Sequence, residues 1–331
     1  MKNYSVAVVG ATGLVGRKVS QVLEEHNFPV GDLRLLASAR SAGKTITYAK
    51  KEVPVRELTA GSFEGIDIAL FSAGAAVSRE FAPHAVKAGT LVVDNSSAFR
   101  LDAGVPLVVP EVNRADIFKH RGIVANPNCS TIQMVVALKP LHDLWKIRRI
   151  VVSTYQSVTG AGKKGLTQLE DEIAHRLAGE KKFPHAIAFN VLPQVDVFFD
   201  DGSSREEHKM VEETKKILGD DSIRVSATCV RVPVWGGHSE SVNVEFERPC
   251  DPAAARAALR GAPGIVVRDD PGASEYPMPV DAWDTDPVYV GRIRSDPTVA
   301  SGLNLWIVAD NLRKGAATNA VQIVEEWIKG Q

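Results

Sequence analysis

Only three of the 331 residues are cysteine, at positions 129, 229 and 250, and no two of them form a C-x-x-C pair. Three thiols cannot build a disulfide framework, so the chain reads as one kept in a reducing compartment. The missing pair also argues against a structural zinc, and no metal is expected. Charge of neither sign dominates: 40 acidic side chains stand against 39 basic ones. That balance removes any general pull towards nucleic acid or an anionic membrane. No apolar run is long enough to span a bilayer, and the first residues lead into a strand-like run without a secretion pattern. A cytoplasmic protein is expected. Internal repeats and low-complexity segments are lacking too.

What is present is an ordinary globular composition, 44% apolar and 24% charged, with length enough for two domains. From residue 4 to residue 126, short β-branched runs alternate with stretches of helical spacing. The runs 6–9, 33–37, 66–71, 91–93, 107–109 and 123–125 are almost wholly apolar, as strands covered on both faces are. Stretches 14–25 and 78–88 read as helices, and 44–57 as a small hairpin. This βαβ series predicts an α/β fold with a Rossmann-type doubly wound parallel sheet. Beyond residue 144 the runs 149–158, 223–233, 241–248 and 288–294 are longer and alternate more. They predict an α+β domain with a mixed sheet exposing one face. Helices are expected at 164–177, 204–218 and 317–328, and long loops at 179–184 and 269–287.

The first strand runs into Gly10-Ala11-Thr12-Gly13-Leu14-Val15-Gly16, which opens the first helix. In that setting glycines let a pyrophosphate approach the helix N-terminus, so Gly10, Thr12, Gly13, Leu14 and Val15 are expected cofactor contacts. An NAD enzyme normally carries Asp or Glu at the end of the second strand. Here Ser38, Arg40 and Ser41 offer donors and positive charge instead, which suits the 2′-phosphate of NADP(H). Ser72, after the third strand of the βαβ series, adds a small-residue turn near the same ligand.

Cys129 lies in Asn126-Pro127-Asn128-Cys129-Ser130-Thr131, before a long apolar helix. Pro127 breaks the incoming strand, and Ser130 or Thr131 is expected to cap the helix. A thiol at a helix N-terminus is favoured as thiolate, the species that attacks carbonyl carbon. Arg100 follows a buried strand and can grip a phosphate or carboxylate. Gln156 both donates and accepts, and Thr159-Gly160 lets backbone approach a bound group. Glu206 and Lys209 are i, i+3 neighbours, a spacing that also fits a simple exposed ion pair. His238 follows Gly236-Gly237 near Arg231; a turn-held histidine suits a general base with a pKa near neutrality.

Gly10–Gly16, Ser96–Arg100, Asn126–Thr131, Gln156–Gly162, Glu206–Lys209 and Arg231–Ser239, in that order, resemble the motifs of aspartate-β-semialdehyde dehydrogenases. The likeness runs over nearly the whole chain. It implies Cys129 as the acylated nucleophile, His238 as acid/base and Gln156 as the group orienting the thioester. It further implies Arg231 and Glu206 as holders of the substrate carboxylate and ammonium, and Arg100, Asn128 and Lys209 as a phosphate site. Thr159 and Gly160 would contact the cofactor, and Asn311 would be a nicotinamide-side contact.

The implied reaction is reductive dephosphorylation of L-aspartyl-4-phosphate to L-aspartate-4-semialdehyde and phosphate with NADPH, towards diaminopimelate, lysine, threonine and methionine. The implied assembly is a homodimer or homotetramer. The expected division is an NADP-binding domain at 1–127, a catalytic and dimerisation domain at 128–312, and a helix in 313–331 returning to the first domain. An N-acetyl-γ-glutamyl-phosphate reductase is the nearest alternative, but it usually carries Pro-Gly-Cys-Tyr-Pro-Thr around the nucleophile. A non-catalytic NADP-binding sensor would need neither Cys129, Gln156 nor His238.

Overall fold

The computed structural model describes residues 2–331 except 177, 178 and 180. The expected helix end at 177 and part of the expected loop 179–184 fall outside the described residues. The chain divides into two compact units, one of Met1–Asn128 with Ala316–Gln331 and one of Cys129–Gly315.

In the first unit, strands β1 (Tyr4–Val9), β2 (Val30–Ala37), β3 (Thr45–Tyr48), β4 (Lys51–Glu57), β5 (Ile68–Phe71), β6 (Leu91–Asp94) and β7 (Ile123–Ala125) form one sheet in the order β3-β4-β2-β1-β5-β6-β7. Every pairing is parallel except β3 with β4, the hairpin expected at 44–57. The pleat explains why β1 is apolar from Val6 to Val9. Val6 and Val8 pack with Val19, Val22 and Leu23 of helix α1 (Leu14–Glu25) and with Ala320, Val321 and Val324 of the last helix, Thr318–Lys329. Ala7 and Val9 face the opposite cluster, with Phe63 and with Ala82 and Ala85 of helix α2 (Ala75–Lys87). The last helix is tied further by Tyr4 against Trp327, ring centroids 6.3 Å apart, and by His26 to Glu325 at 2.9 Å.

Residues 107–109, expected as a strand, do not form one. Leu107 makes an isolated bridge to Ala125. Pro106 and Pro110 flank the segment, and Pro110, lacking an N–H, opens the short helix α3 (Pro110–Asn113) instead.

The strand order reverses at β1, with β2 on one side and β5 on the other, so a crevice opens at the carboxyl ends of β1 and β5. Gly10 has φ +85°, and a Cβ there would lie 2.9 Å from the Ser72 carbonyl oxygen. A Cβ at Gly16 would lie 2.3 Å from the Gly10 carbonyl oxygen.

In the second unit, helix α4 (Cys129–Trp145) is apolar nearly all round, and residues 130–138 are all buried. It packs on a six-stranded mixed sheet of β8 (Ile147–Gln156), β9 (Arg224–Arg231), β10 (His238–Phe246), β11 (Ile265–Val267), β12 (Val288–Ser295) and β13 (Gly302–Ala309). The order is β11-β12-β13-β10-β8-β9, with β8–β9 and β11–β12 parallel and the other pairs antiparallel. One face is half-exposed, where Tyr155 and Trp306 meet at 5.5 Å between centroids. Helices α5 (Lys163–Ile173), α6 (Arg205–Leu218), α7 (Pro252–Arg260) and α8 (Pro279–Ala282) complete the unit.

Strand β13 had no counterpart among the expected strands. Its signal is the alternation of buried Leu303, Leu305 and Ile307 with half-buried Asn304 and Trp306. Among the described residues no helix is long and apolar enough to cross a membrane.

The contact at Gly16 is with backbone, which cannot rotate aside. Gly16→Ala is expected to lower stability by about 1–3 kcal/mol in urea unfolding. A wild-type midpoint would show that the turn yields freely.

Candidate active site

Helix α4 begins at Cys129 itself, so Ser130 and Thr131 lie inside its first turn rather than capping it. The capping expectation fails because Pro127-Asn128 already ends the extended segment. Cys129 is partly exposed, whereas Cys229 is buried and burial pushes its thiol pKa up. A Cβ at Gly315 would lie 2.9 Å from the Cys129 Cβ, so only glycine fits beside the nucleophile candidate.

Strand register assembles the rest of the second unit's cluster. Gln156 at the end of β8 stands beside Arg231 at the end of β9, and Tyr155 pairs with Ser239 of β10. Gln156, Arg231 and His238 therefore gather at one end of the sheet, and all three are buried. Arg231 Nη1 donates to the Ser157 carbonyl oxygen at 2.7 Å, while its Nε has no partner among the described residues. Burial lowers the Arg231 pKa, and the negative charges of Glu206 and Cys129 oppose that shift.

His238 is completely buried as the first residue of β10. Burial, reinforced by the Arg231 charge, lowers its pKa to about 3. The expectation of a turn-held histidine titrating near neutrality is corrected: the strand starts three residues earlier than expected and carries the ring inside. The Ser157 N–H donates to Nδ1 at 3.1 Å. A backbone N–H can only donate, so the neutral ring carries its proton on Nε2. Nε2 has no partner among the described residues. A Cβ at Gly160 would stand 3.1 Å from Nε2 and 2.7 Å from Arg231 Nη1, so the glycine leaves room at both groups.

Helix α6 starts with a capping box: the Ser204 hydroxyl accepts from the Glu207 N–H, and the Glu207 carboxylate accepts from the Ser204 N–H. That box places Glu206 in the first turn, where it is buried. Its Oε1 accepts from Gln156 Nε2 at 3.2 Å and its Oε2 from Lys209 Nζ at 2.9 Å. Lys209 also reaches Asp196 at 3.1 Å. Glu206 and Lys209 are thus tied to Gln156 rather than forming an isolated surface pair.

Asn311 is buried, and its Oδ1 accepts from Ser157 Oγ (2.9 Å), Thr159 Oγ1 (3.2 Å) and the Gly237 N–H (3.2 Å). Sequence reasoning had given Ser157 no role, although it lies inside the Gln156–Gly162 motif. Here it is the residue that contacts His238, Arg231 and Asn311 together.

The remaining expected site residues belong to the first unit. Arg100 is buried, donating from Nε to the Asn126 carbonyl and from Nη2 to the Asn95 carbonyl, each at 3.0 Å, so a surface ion pair does not describe it. Asn128 is buried as the last residue of that segment. Helix α1 follows Gly13 with no side-chain cap, so the first-turn N–H groups around Leu14 and Val15 are presented as an anion cradle after Thr12. Ser72 Oγ donates to the Val9 carbonyl at 3.0 Å. Ser38 and Arg40 are exposed after β2, beside Ser41, with no carboxylate in residues 36–41. The open first turn and the side-chain-free approach at Gly10 fit a dinucleotide. Among the described residues no group of three or more His, Cys, Asp or Glu could hold a metal.

A histidine with a depressed folded pKa is neutral in the protein and takes up a proton on unfolding below about pH 6.5. Its contribution to stability is full above that value and is lost as pH falls towards about 3. In nitrogen-edited NMR, His238 is expected to stay in the Nε2–H form between about pH 8 and pH 5. Titration near neutrality would contradict the burial argument.

Two family models match the chain: a semialdehyde dehydrogenase NAD-binding domain over residues 5–120 and a semialdehyde dehydrogenase dimerisation domain over residues 138–314. An aspartate-semialdehyde dehydrogenase of Aquifex aeolicus is 57% identical, over 98% of this chain and 98% of its own length. One of Legionella pneumophila is 54% identical, over 98% and 95%. The crystal structure of aspartate semialdehyde dehydrogenase II from Vibrio cholerae complexed with ASA superposes with a TM-score of 0.96 at 48% identity, covering 99% of each chain. A Candida albicans aspartate semialdehyde dehydrogenase with NADP superposes at 0.78, with 28% identity over 98% of each chain. The chain belongs to the aspartate-semialdehyde dehydrogenase family.

Proposed function

We propose that this chain reduces L-aspartyl-4-phosphate to L-aspartate-4-semialdehyde, releasing phosphate, with NADPH as hydride donor and a thioester on Cys129 as intermediate. The observation that carries this reading is the gathering of buried Gln156, Arg231 and His238 at one end of the second unit's sheet, with Arg231 sensing the Cys129 charge. The N-acetyl-γ-glutamyl-phosphate alternative is not favoured, since relatives about half identical over nearly the full length are aspartate-semialdehyde dehydrogenases.

The Cys129 thiolate, formed at the N-terminus of α4, attacks the acyl carbon and the C–O bond to phosphate breaks. Arg100, Asn128 and Lys209 receive the departing anion, where positive charge and donors stabilise the leaving oxygens. Arg231 holds the substrate carboxylate by a two-point contact that its fork geometry permits, and Glu206 holds the ammonium. Gln156, already anchored on Glu206, orients the thioester. The bound dinucleotide supplies hydride. His238 shares its Nε2 proton with the developing oxygen anion and recovers it as the carbonyl re-forms and the C–S bond breaks, releasing aldehyde and thiolate. In the reverse direction the same N–H steadies the oxygen anion formed when the thiolate adds to the aldehyde.

The first unit holds the dinucleotide at the Gly10–Gly16 turn, with Ser38, Arg40 and Ser41 on the 2′-phosphate and Ser72 alongside. Thr159 and Gly160 are cofactor-contacting residues in this reading, and Asn311 is a nicotinamide-side contact. A homodimer or homotetramer formed through the second unit is part of this reading, supported by the half-exposed sheet face carrying Tyr155 and Trp306. A cytoplasmic setting fits the absence of a disulfide among the described residues.

Cys129→Ala is expected to reduce phosphate-dependent NADPH formation from the semialdehyde by about 10³-fold or more. Mass spectrometry should find the acyl adduct in the wild type and none in the variant. Retained turnover in the variant sinks covalent catalysis. Arg40→Ala should raise the KM for NADPH roughly tenfold and leave that for NADH nearly unchanged. Equal losses with both would remove Arg40 from the 2′-phosphate site.

A further inference from the structure

Glu240 lies on β10 two positions beyond His238, on the same face of the strand by the pleat, and is completely buried. Among the described residues neither of its carboxyl oxygens has a hydrogen-bond partner, and Oε1 of Gln133 is an equally unmet buried acceptor. The Gln133 amide is the hydrogen-bonding group within reach of the carboxyl. Gln133 stands about one turn beyond Cys129 on α4, and its Nε2 donates to the His238 carbonyl oxygen at 3.4 Å. Three acceptors short of donors are costly in a dry interior. One added proton resolves the arrangement: the carboxyl O–H donates to Gln133 Oε1, while Nε2 donates back to the other carboxyl oxygen and to the His238 carbonyl.

We propose that Glu240 is an uncharged, protonated positioning residue whose acid–amide pair with Gln133 ties the start of the His238 strand to the Cys129 helix. Its surroundings fit a neutral group. Thr154 of β8 and Ile307 of β13 flank it in register. Cys229 feels the Glu240 charge, and His238 lies two positions away on the same strand. Burial drives the carboxyl pKa well above its usual range, and no cation is among the causes that shift it.

The catalytic consequence rests on the role proposed for His238, whereas the protonation does not, so the two are tested apart. A carboxyl protonated when folded and ionised when unfolded takes up a proton on folding. Wild-type stability therefore falls with rising pH relative to Glu240→Gln. The melting-temperature gap between them should widen from about pH 5 to about pH 8. Infrared spectra at neutral pH should show a protonated-carboxyl C=O band in the wild type that Glu240→Gln lacks. A constant gap, or no such band, overturns the proposal. Glu240→Gln should keep kcat within about twofold, while Glu240→Leu loses roughly tenfold in kcat with little change in KM. Equal losses in both variants overturn the positioning role. Full activity of His238→Ala would instead remove the acid/base assignment and leave the spectrum and the pH-dependent gap untouched.

Discussion

The N–H of Ser157 points at Nδ1 of His238, and a backbone N–H has no other state than donor. From that contact the arrangement of the second unit's polar end follows. The imidazole proton must reside on Nε2, the ring cannot turn over without abandoning a buried donor, and the free edge is the one bordered by Gly160. The carbonyl of the same residue receives Arg231. A single residue just past the end of β8 therefore sets the direction of both the proton carrier and the guanidinium. Asn311 holds its hydroxyl and the neighbouring Thr159 and Gly237 from behind.

The same economy governs charge. Arg231 is buried with a fork only partly satisfied, a costly state unless an anion stands near. Glu206 is the resident anion, and it is itself held by Gln156 and Lys209. A second buried cation at His238 would have to share Glu206 with Arg231, and burial and the Arg231 charge outweigh that anion, so the ring rests neutral. The site is preorganised by groups whose own partners are already fixed, so that a ligand meets directed donors rather than mobile ones.

Local chemistry made much of this legible in advance. The glycines after the first strand, the missing carboxylate after the second and the proline before Cys129 each act within a few residues, and the structure places them at strand or helix ends. Non-local facts were not legible. Nothing within a few positions of His238 reveals that its strand begins there or that the ring is enclosed, because that depends on register with β8. Glu206 and Lys209 fit a surface pair until Gln156, some fifty residues earlier in the chain, is brought beside them. Residues 107–109 have a strand's composition but are bounded by prolines, and bounding outweighs composition in so short a run.

The sheet of the first unit is closed on one face by Ala320, Val321, Ile323 and Val324, which follow its seventh strand by almost two hundred residues. During synthesis the second unit, continuous in the chain, is available in full before those residues emerge. Until then Val6, Val8, Leu70 and Val93 present an apolar face that helix α1 covers only in part. The nucleotide-type half, although it comes first in the sequence, is thus the last to acquire its finished core, and the nascent chain carries a sticky intermediate throughout the making of its other half.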